Sequence, residues 1–497
     1  MMASARWLCS SVLLLSASGF GCGATDNVIG ALLGGAGEDA RSMNGGSGGS
    51  ANRDGNSDGG SASGFSGALG VDPGAQNGGT STRGVGGAPT RGLPEPSNGG
   101  TVAQLPAGAA GDVLFTSGGV ANSPSGGMTS FTSAGVTGSV GKAGSAGVVV
   151  PSAGTFQPAL EYRAGISTRS LALADLNEDG SLDAVVASWG TGEVGVLLGS
   201  DHGFSPMVGY DMGSAANYVA LGDLNGDGKL DVTAVNYYSD TVKVRLGAGD
   251  GTLLAKSEYV GGEDMFSVVL GDVNGDGKLD AVTSNDDTSA VSVLLGAGNG
   301  SFGEAHSVAM GGPGFSVALA DVNGDGVLDL ARTNADLDTV SVLLGTGTGS
   351  FVEDADYPTG DHPIFVTFGD VNADGQPDLL TADSSSNQVS VFLASSNGKF
   401  MTRVGYTTES YPSYVTLADL NGDGVVDMVS ADTFAPTVSV FKGLGEGTFA
   451  PKVSYPVGYD PEAISVGDVN RDGIPDLVSV NQGSSSVSVL LGQAAEN

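Results

Sequence analysis

Cysteine is almost absent from this 497-residue sequence: Cys9 and Cys22 are the two, both near the start. No pair of thiols remains once a leader is removed, so no internal disulfide can brace the rest. Histidine is as scarce. His202, His306 and His362 are the three, far apart in the chain, which leaves no cluster for a histidine metal site or an acid–base dyad. No Gly-x-Ser-x-Gly nucleophile motif occurs from residue 154 onward. Basic residues are few, 19 against 55 acidic ones, and the net charge is -36. Such a chain is repelled by nucleic-acid phosphates and by anionic lipid, so neither is an expected partner. Residues 154–497 hold 47 of the acids and 13 of the bases, a charge of -34. Divalent cations are the simplest compensation for so dense a field.

Long apolar runs are missing too. Residues 7–20, behind Arg6, form the one sustained run. It is too short to cross a bilayer and has the layout of an export signal. Residues 19–22 read Gly-Phe-Gly-Cys. This resembles a bacterial lipobox in which Cys22 is lipidated, although Gly19 stands where a Leu-like residue is usual. The alternative is an ordinary secretory signal cut near Ala24. Residues 1–24 are therefore assigned as signal peptide, with an exported protein either anchored at the cell surface through Cys22 or freely secreted. Residues 25–153 are rich in Gly, Ser and Ala without sustained periodicity. That composition makes a flexible linker with a coil span of roughly 60 Å, suited to holding a folded head away from a surface.

Seven related motifs follow, beginning at Asp175, Asp223, Asp272, Asp321, Asp370, Asp419 and Asp468. The first interval is 48 residues and the others are 49. A period near 50 marks a propeller or solenoid. Each unit carries four β-like runs, in the third unit 267–270, 279–284, 291–295 and 302–310, and four short strands make one blade. In the first run, bulky residues such as Val268 and Leu270 alternate with slim ones such as Val269 and Gly271. This suits innermost strands crowded about an axis, each laying its bulky face on a neighbour's slim face. The region opens on a fourth-type run and ends on a third-type run. Pairing the two would close a ring and remove an exposed edge. The expected fold is all-β, a seven-bladed β-propeller over 154–497 whose last blade is completed by its N-terminal strand.

The motifs have ligand logic. Positions one, five and nine are Asp, position three is Asn, and position six is Gly in every copy. Position seven varies freely, as it can if only its carbonyl is used. The candidate ligands are Asp175, Asn177, Asp179, Ser181 and Asp183 in the first loop, and Asp223, Asn225, Asp227, Lys229 and Asp231 in the second. The third has Asp272, Asn274, Asp276, Lys278 and Asp280; the fourth has Asp321, Asn323, Asp325, Val327 and Asp329. The fifth has Asp370, Asn372, Asp374, Gln376 and Asp378; the sixth has Asp419, Asn421, Asp423, Val425 and Asp427. The seventh has Asp468, Asn470, Asp472, Ile474 and Asp476. Carboxylate, amide and carbonyl oxygens form a hard site that favours Ca²⁺ over Zn²⁺ or Cu²⁺, so up to seven calcium ions are expected. The loop is not an EF-hand, because position twelve is not Glu; in the first copy it is Val186.

This loop, followed by Val-Ser-Val-Leu-Leu-Gly and Gly-x-Gly-x-Phe, resembles the FG-GAP/VCBS repeats of integrin-α-like propellers and of bacterial exported proteins. The resemblance spans about 154–492 and implies a seven-bladed propeller with calcium in hairpins on one face. Ala394 and Lys442 depart from the repeat in the fifth and sixth units, outside the ligand positions. The resemblance covers adhesion proteins, sugar binders and a few lyases, so it leaves function open.

Two readings follow. One is a non-catalytic binding module, a monomeric head that recognises a glycan or an extracellular protein. The alternative is an exported polysaccharide-active, lyase-like enzyme on the same scaffold. An enzyme would be expected to interrupt the repeat with an insertion, and the even spacing favours binding. Strand parity puts the metal loops on one face. The other face carries segments that differ from copy to copy, with Trp189, Tyr237, Tyr238 and Phe434 as candidate ligand-binding residues.

Overall fold

The computed structural model describes residues 155–286, 289–395 and 397–493. The export signal, Cys22, the linker and Asp287 lie outside the described residues. Apart from one 3-10 turn at Ala335–Leu337, the regular structure is all strand. Seven antiparallel four-stranded sheets form the blades. The first contains Thr168–Ala174, Asp183–Ser188, Glu193–Leu197 and Val208–Asp211. The third contains Met265–Gly271, Asp280–Asn285, Ala290–Leu294 and His306–Ala309, close to the runs expected from sequence. Its outer run is split: Phe302 bridges Gly296, and the strand resumes at His306.

The ring closes as the phase of the repeat predicts. Pro461–Gly467, Asp476–Asn481 and Ser486–Leu490 take Leu160–Arg163 as their fourth strand, with Tyr162 opposite Val487. The alternation of bulky and slim residues explains the packing of blade on blade. A Cβ on Gly222 would lie 2.6 Å from Leu279 and 3.2 Å from Leu270 of the next blade. Gly271 meets Leu328 and Leu319 in the same way, and Gly467 of the last blade meets Leu182 and Leu173 of the first. At these three glycines the slim face has no room for a methyl group.

Two features were not legible. Six of the seven blades are entered through a left-handed residue that is not glycine: Ser167, Ala215, Asp264, His362, Tyr411 and Asp460, with φ from 49° to 61°. The fourth blade has Pro313 at this place, and proline cannot adopt positive φ. Its inner strand accordingly starts late, at Val317. The second strands, buried along their whole length, end in a polar residue: Ser188, Asn236, Asn285, Asn334, Asp383, Asp432 and Asn481.

The two aspartates in this layer yield a prediction. Asp432 accepts hydrogen bonds from Ser430 at 3.0 Å and Ser439 at 2.5 Å. Asp383 accepts from Thr381 and Ser390 and from the Gly360 amide. Burial pushes both carboxyls up to about 6, against the hydroxyl bonds that pull them down. The folded chain therefore holds these protons more tightly than the unfolded one. Their contribution to stability is complete below the unfolded value near 3.8 and is lost as pH rises through 6. In the sister blades Asn285 and Asn481 bond the equivalent hydroxyls without charge. Asp432→Asn is expected to raise stability by about 1–3 kcal/mol at pH 7 and by nothing near pH 4. Urea titration at both pH values checks it; equal effects at the two would refute the charge argument.

Candidate functional site

Each acidic loop is drawn tight by its own amides. In the first, Asp175 accepts from Gly180 N at 2.7 Å and Asp179 N at 3.1 Å. Asn177 Oδ1 accepts from Asp179 N at 3.0 Å, and Asp179 Oδ1 from Ser181 N at 2.8 Å. These contacts recur in all the other loops. The glycine at position six is required: its φ is +83° at Gly180 and +83° at Gly473.

The ninth-position aspartate has a task that sequence does not reveal. Asp183, fully buried, accepts from Leu176 N inside the loop and from Gly199 N in the hairpin between the third and fourth strands. The same double bond is made by Asp231, Asp280, Asp329, Asp378, Asp427 and Asp476. It clamps the two hairpins of one face together. Further support comes from the next blade, where Gly300 N donates to Leu224 O and Gly349 N to Val273 O.

Burial pushes the ninth-position carboxyls up to about 6, and Asp476 to about 7, and the loop's other aspartates add to the shift. The loops therefore gather more negative charge than they neutralise. Local cations are few. Lys278 pairs with Asp276 at 3.0 Å, and Lys442, outside the motif in sequence, reaches Asp423 at 3.3 Å. Arg471 turns outward to Asp201 and to the Asp179 carbonyl. Among the described residues no group of three or more His, Cys, Asp or Glu stands arranged to hold a metal ion. The donor set nevertheless fits calcium chemically. All its atoms are hard oxygens, and each carboxylate oxygen that accepts one N–H keeps a second lone pair. Positions one, three, five and nine, with the position-seven carbonyl, are the residues that would hold it.

On the opposite face the structure gathers three of the four candidate aromatics. Trp189 lies 5.4 Å from Tyr237 and 5.2 Å from Tyr238, and the two tyrosines are 5.3 Å apart. Tyr238 is 53% exposed. Tyr237 also donates to Asp286 at 3.3 Å. Phe434 belongs to a different cluster, stacked on Tyr411 at 4.5 Å in the sixth blade. From Tyr237 the first cluster continues through Phe266 and Phe315 to His362, at centroid separations of 6.5, 4.8 and 5.7 Å. Arg169 lies 4.5 Å above Trp189. Glu462, half-buried beside Arg169, is raised to about 7 by desolvation although Arg169 opposes the shift. Arg169, Asn217 and Glu462 were not singled out from sequence. They share one position, six residues before each motif, within a stretch that varies from copy to copy.

A closed ring of seven blades with an acidic loop in each defines a repeat propeller. The FG-GAP-like repeat family matches residues 175–234, 223–283, 272–332, 370–430 and 424–479, more than half of the chain, and the chain belongs to that family. No curated protein matches it. Among solved structures, BBS1N in complex with ARL6DN is similar over 70% of this chain and 99% of that one, with TM-score 0.51 at 9% identity. An Agrocybe aegerita lectin, described for its recognition of non-reducing terminal N-acetylglucosamine, aligns with 59% of this chain and 81% of its own, with TM-score 0.44 at 22% identity. A Lactobacillus plantarum protein aligns with 60% and 86%, with TM-score 0.46 at 16% identity. At such identities the likeness is one of fold.

Proposed function

We propose that this protein is an exported, calcium-dependent recognition module that binds a glycan or protein through the face opposite its metal loops and does no chemistry there. The observation that carries the reading is the contrast between faces. The metal face repeats the same bonds in every blade, so it offers little to distinguish one partner from another. The other face gathers Trp189, Tyr237 and Tyr238 into one partly exposed cluster. Aromatic side chains there stack on sugar rings or anchor protein interfaces. His306 bonds the Gly349 carbonyl, and His362 packs on Phe315.

Replacing Tyr237 and Tyr238 with Ala is expected to weaken capture of glycans or surface proteins at least tenfold, with little change in melting temperature. A fall in stability with unchanged capture would make the cluster a packing element. The same proposal puts the head on a lipid-anchored stalk. Mass spectrometry of the mature protein should find an acylated Cys22; an unmodified chain starting near Thr25 would mean free secretion.

A further inference from the structure

Six residues before the first aspartate of each loop, the repeat loses its regularity: Arg169, Asn217, Phe266, Phe315, Ile364, Ser413 and Glu462 occupy one equivalent position. In six blades the strand register skips over this residue, so it is bulged out of the ladder. A bulge re-aims a side chain, and bulges gather where proteins bind or react. Contacts between neighbouring members run round the axis. Asn217 Nδ2 donates to the Phe266 carbonyl at 2.6 Å, and the rings of Phe266 and Phe315 meet edge-on at 4.8 Å. Ser413 donates to the carbonyl of Pro461, beside Glu462, at 3.2 Å. Gln482 joins the ends of the series: with its amide oriented so that nitrogen faces Glu462 and oxygen faces Arg169, it donates to Glu462 at 3.2 Å and accepts from Arg169 at 3.1 Å. The seven residues thus encircle the axis at the mouth away from the metal loops.

The chemistry round this mouth is sorted. Arg169, Gln482 and Glu462 supply donors and acceptors on one side, and Phe266 and Phe315 supply apolar faces further round. Asn217 is 2% exposed, and its Oδ1 has no hydrogen-bond partner. A buried amide oxygen left unpaired is costly, and this one is closed off from the mouth. Arg169 opposes the charge that Glu462 carries when ionised, so the pair leaves at most a partial net charge at the mouth. Arg169 already covers Trp189, which takes that ring from any cationic ligand. A guest with hydroxyls that both donate and accept, and with a C–H face, satisfies Arg169, Glu462 and the two rings.

We propose that this axial mouth binds one neutral pyranose residue, its hydroxyls held by Arg169 and Glu462 and its C–H face against Phe266 and Phe315. The proposal rests on the reading that recognition uses the face opposite the metals. Trp7 and Trp189 are the two tryptophans, so once the leader is removed emission reports on Trp189 alone. The experiment titrates the mature chain, with calcium, against methyl glycosides of glucose, galactose, mannose and N-acetylglucosamine. At least one should change Trp189 emission saturably. Glu462→Gln and Arg169→Met should each weaken that binding tenfold or more, since each loses a charge-assisted hydrogen bond. Unchanged melting of the Gln variant separates lost binding from lost folding. Silence from every methyl glycoside overturns the proposal, as does saturation that neither substitution alters. If immobilised glycans or surface proteins are still captured through Tyr237 and Tyr238 in that case, the axial site is wrong and the recognition face stands. If capture is absent too, both fall.

Discussion

Removing calcium is expected to lower the melting temperature of the propeller by about 15 °C or more. The seven loops place 21 aspartates in a region of charge -34. Their ninth-position carboxyls are buried and pushed up to about 6 or 7, first by that burial and further by their own loop neighbours. Seven Ca²⁺ would bring the charge to -20, each ion adding two. Extracellular calcium modules bind at about 10⁻⁴–10⁻³ M. At tenfold excess over that constant each independent site contributes about 1.4 kcal/mol, and seven contribute on the order of 10 kcal/mol. For a domain of this size that corresponds to a shift of the stated order. The measurement is thermal melting in excess calcium and after EGTA. Metal analysis of the dialysed protein supplies the stoichiometry, and Asp321→Asn is expected to lose one ion. A melting temperature indifferent to EGTA would remove calcium from the account of stability.

The sequence exposes whatever repeats, and hides whatever depends on where the repeat fails. The seven motifs, the alternation around Leu270 and Gly271, and the offset between the chain's ends are enough to predict blades, their packing and the closing strand Leu160–Arg163. Entry to the blades is different. Left-handed backbone is usually signalled by glycine, but here Ser167, Ala215 and His362 adopt it, so composition gives no cue. The ninth-position aspartate looks like a ligand and also serves as a clamp; residue type cannot separate the two, because a carboxylate suits both. Phe434 occupies the same kind of loop as Tyr237, yet it stands in the sixth blade, stacked on Tyr411. Loop type fixes the face but not the neighbours. The axial residues Arg169 and Glu462 escaped notice because a position that varies among copies resembles noise until the ring brings its members together.

A chain beginning at Ala164 is expected to melt at least 10 °C below one beginning at Ala153, or to aggregate before it can be measured. The segment it lacks completes the last blade. Leu160, Glu161, Tyr162 and Arg163 lie opposite Val489, Ser488, Val487 and Ser486, and Thr155 and Phe156 lie opposite Gln493 and Gly492. Glu161 accepts from Ser486 at 2.5 Å and also from Ser488. Phe156 is 9% exposed and meets Tyr455 edge-on at 5.2 Å, while Tyr162 meets Phe204 of the first blade at 5.5 Å. Losing a buried Phe alone removes about 3–5 kcal/mol. The backbone bonds add about 1 kcal/mol each. The total approaches the whole stability of an ordinary domain. The loss is also topological, because Ser486–Leu490 would become an open edge, ready to pair with another chain. Supplying a peptide of residues 154–163 in trans should restore part of the lost stability, since it refills the vacant fourth strand. Equal melting of the two chains would show that the ring is held by its inner strands alone, through the packing of Gly467 on Leu173 and Leu182.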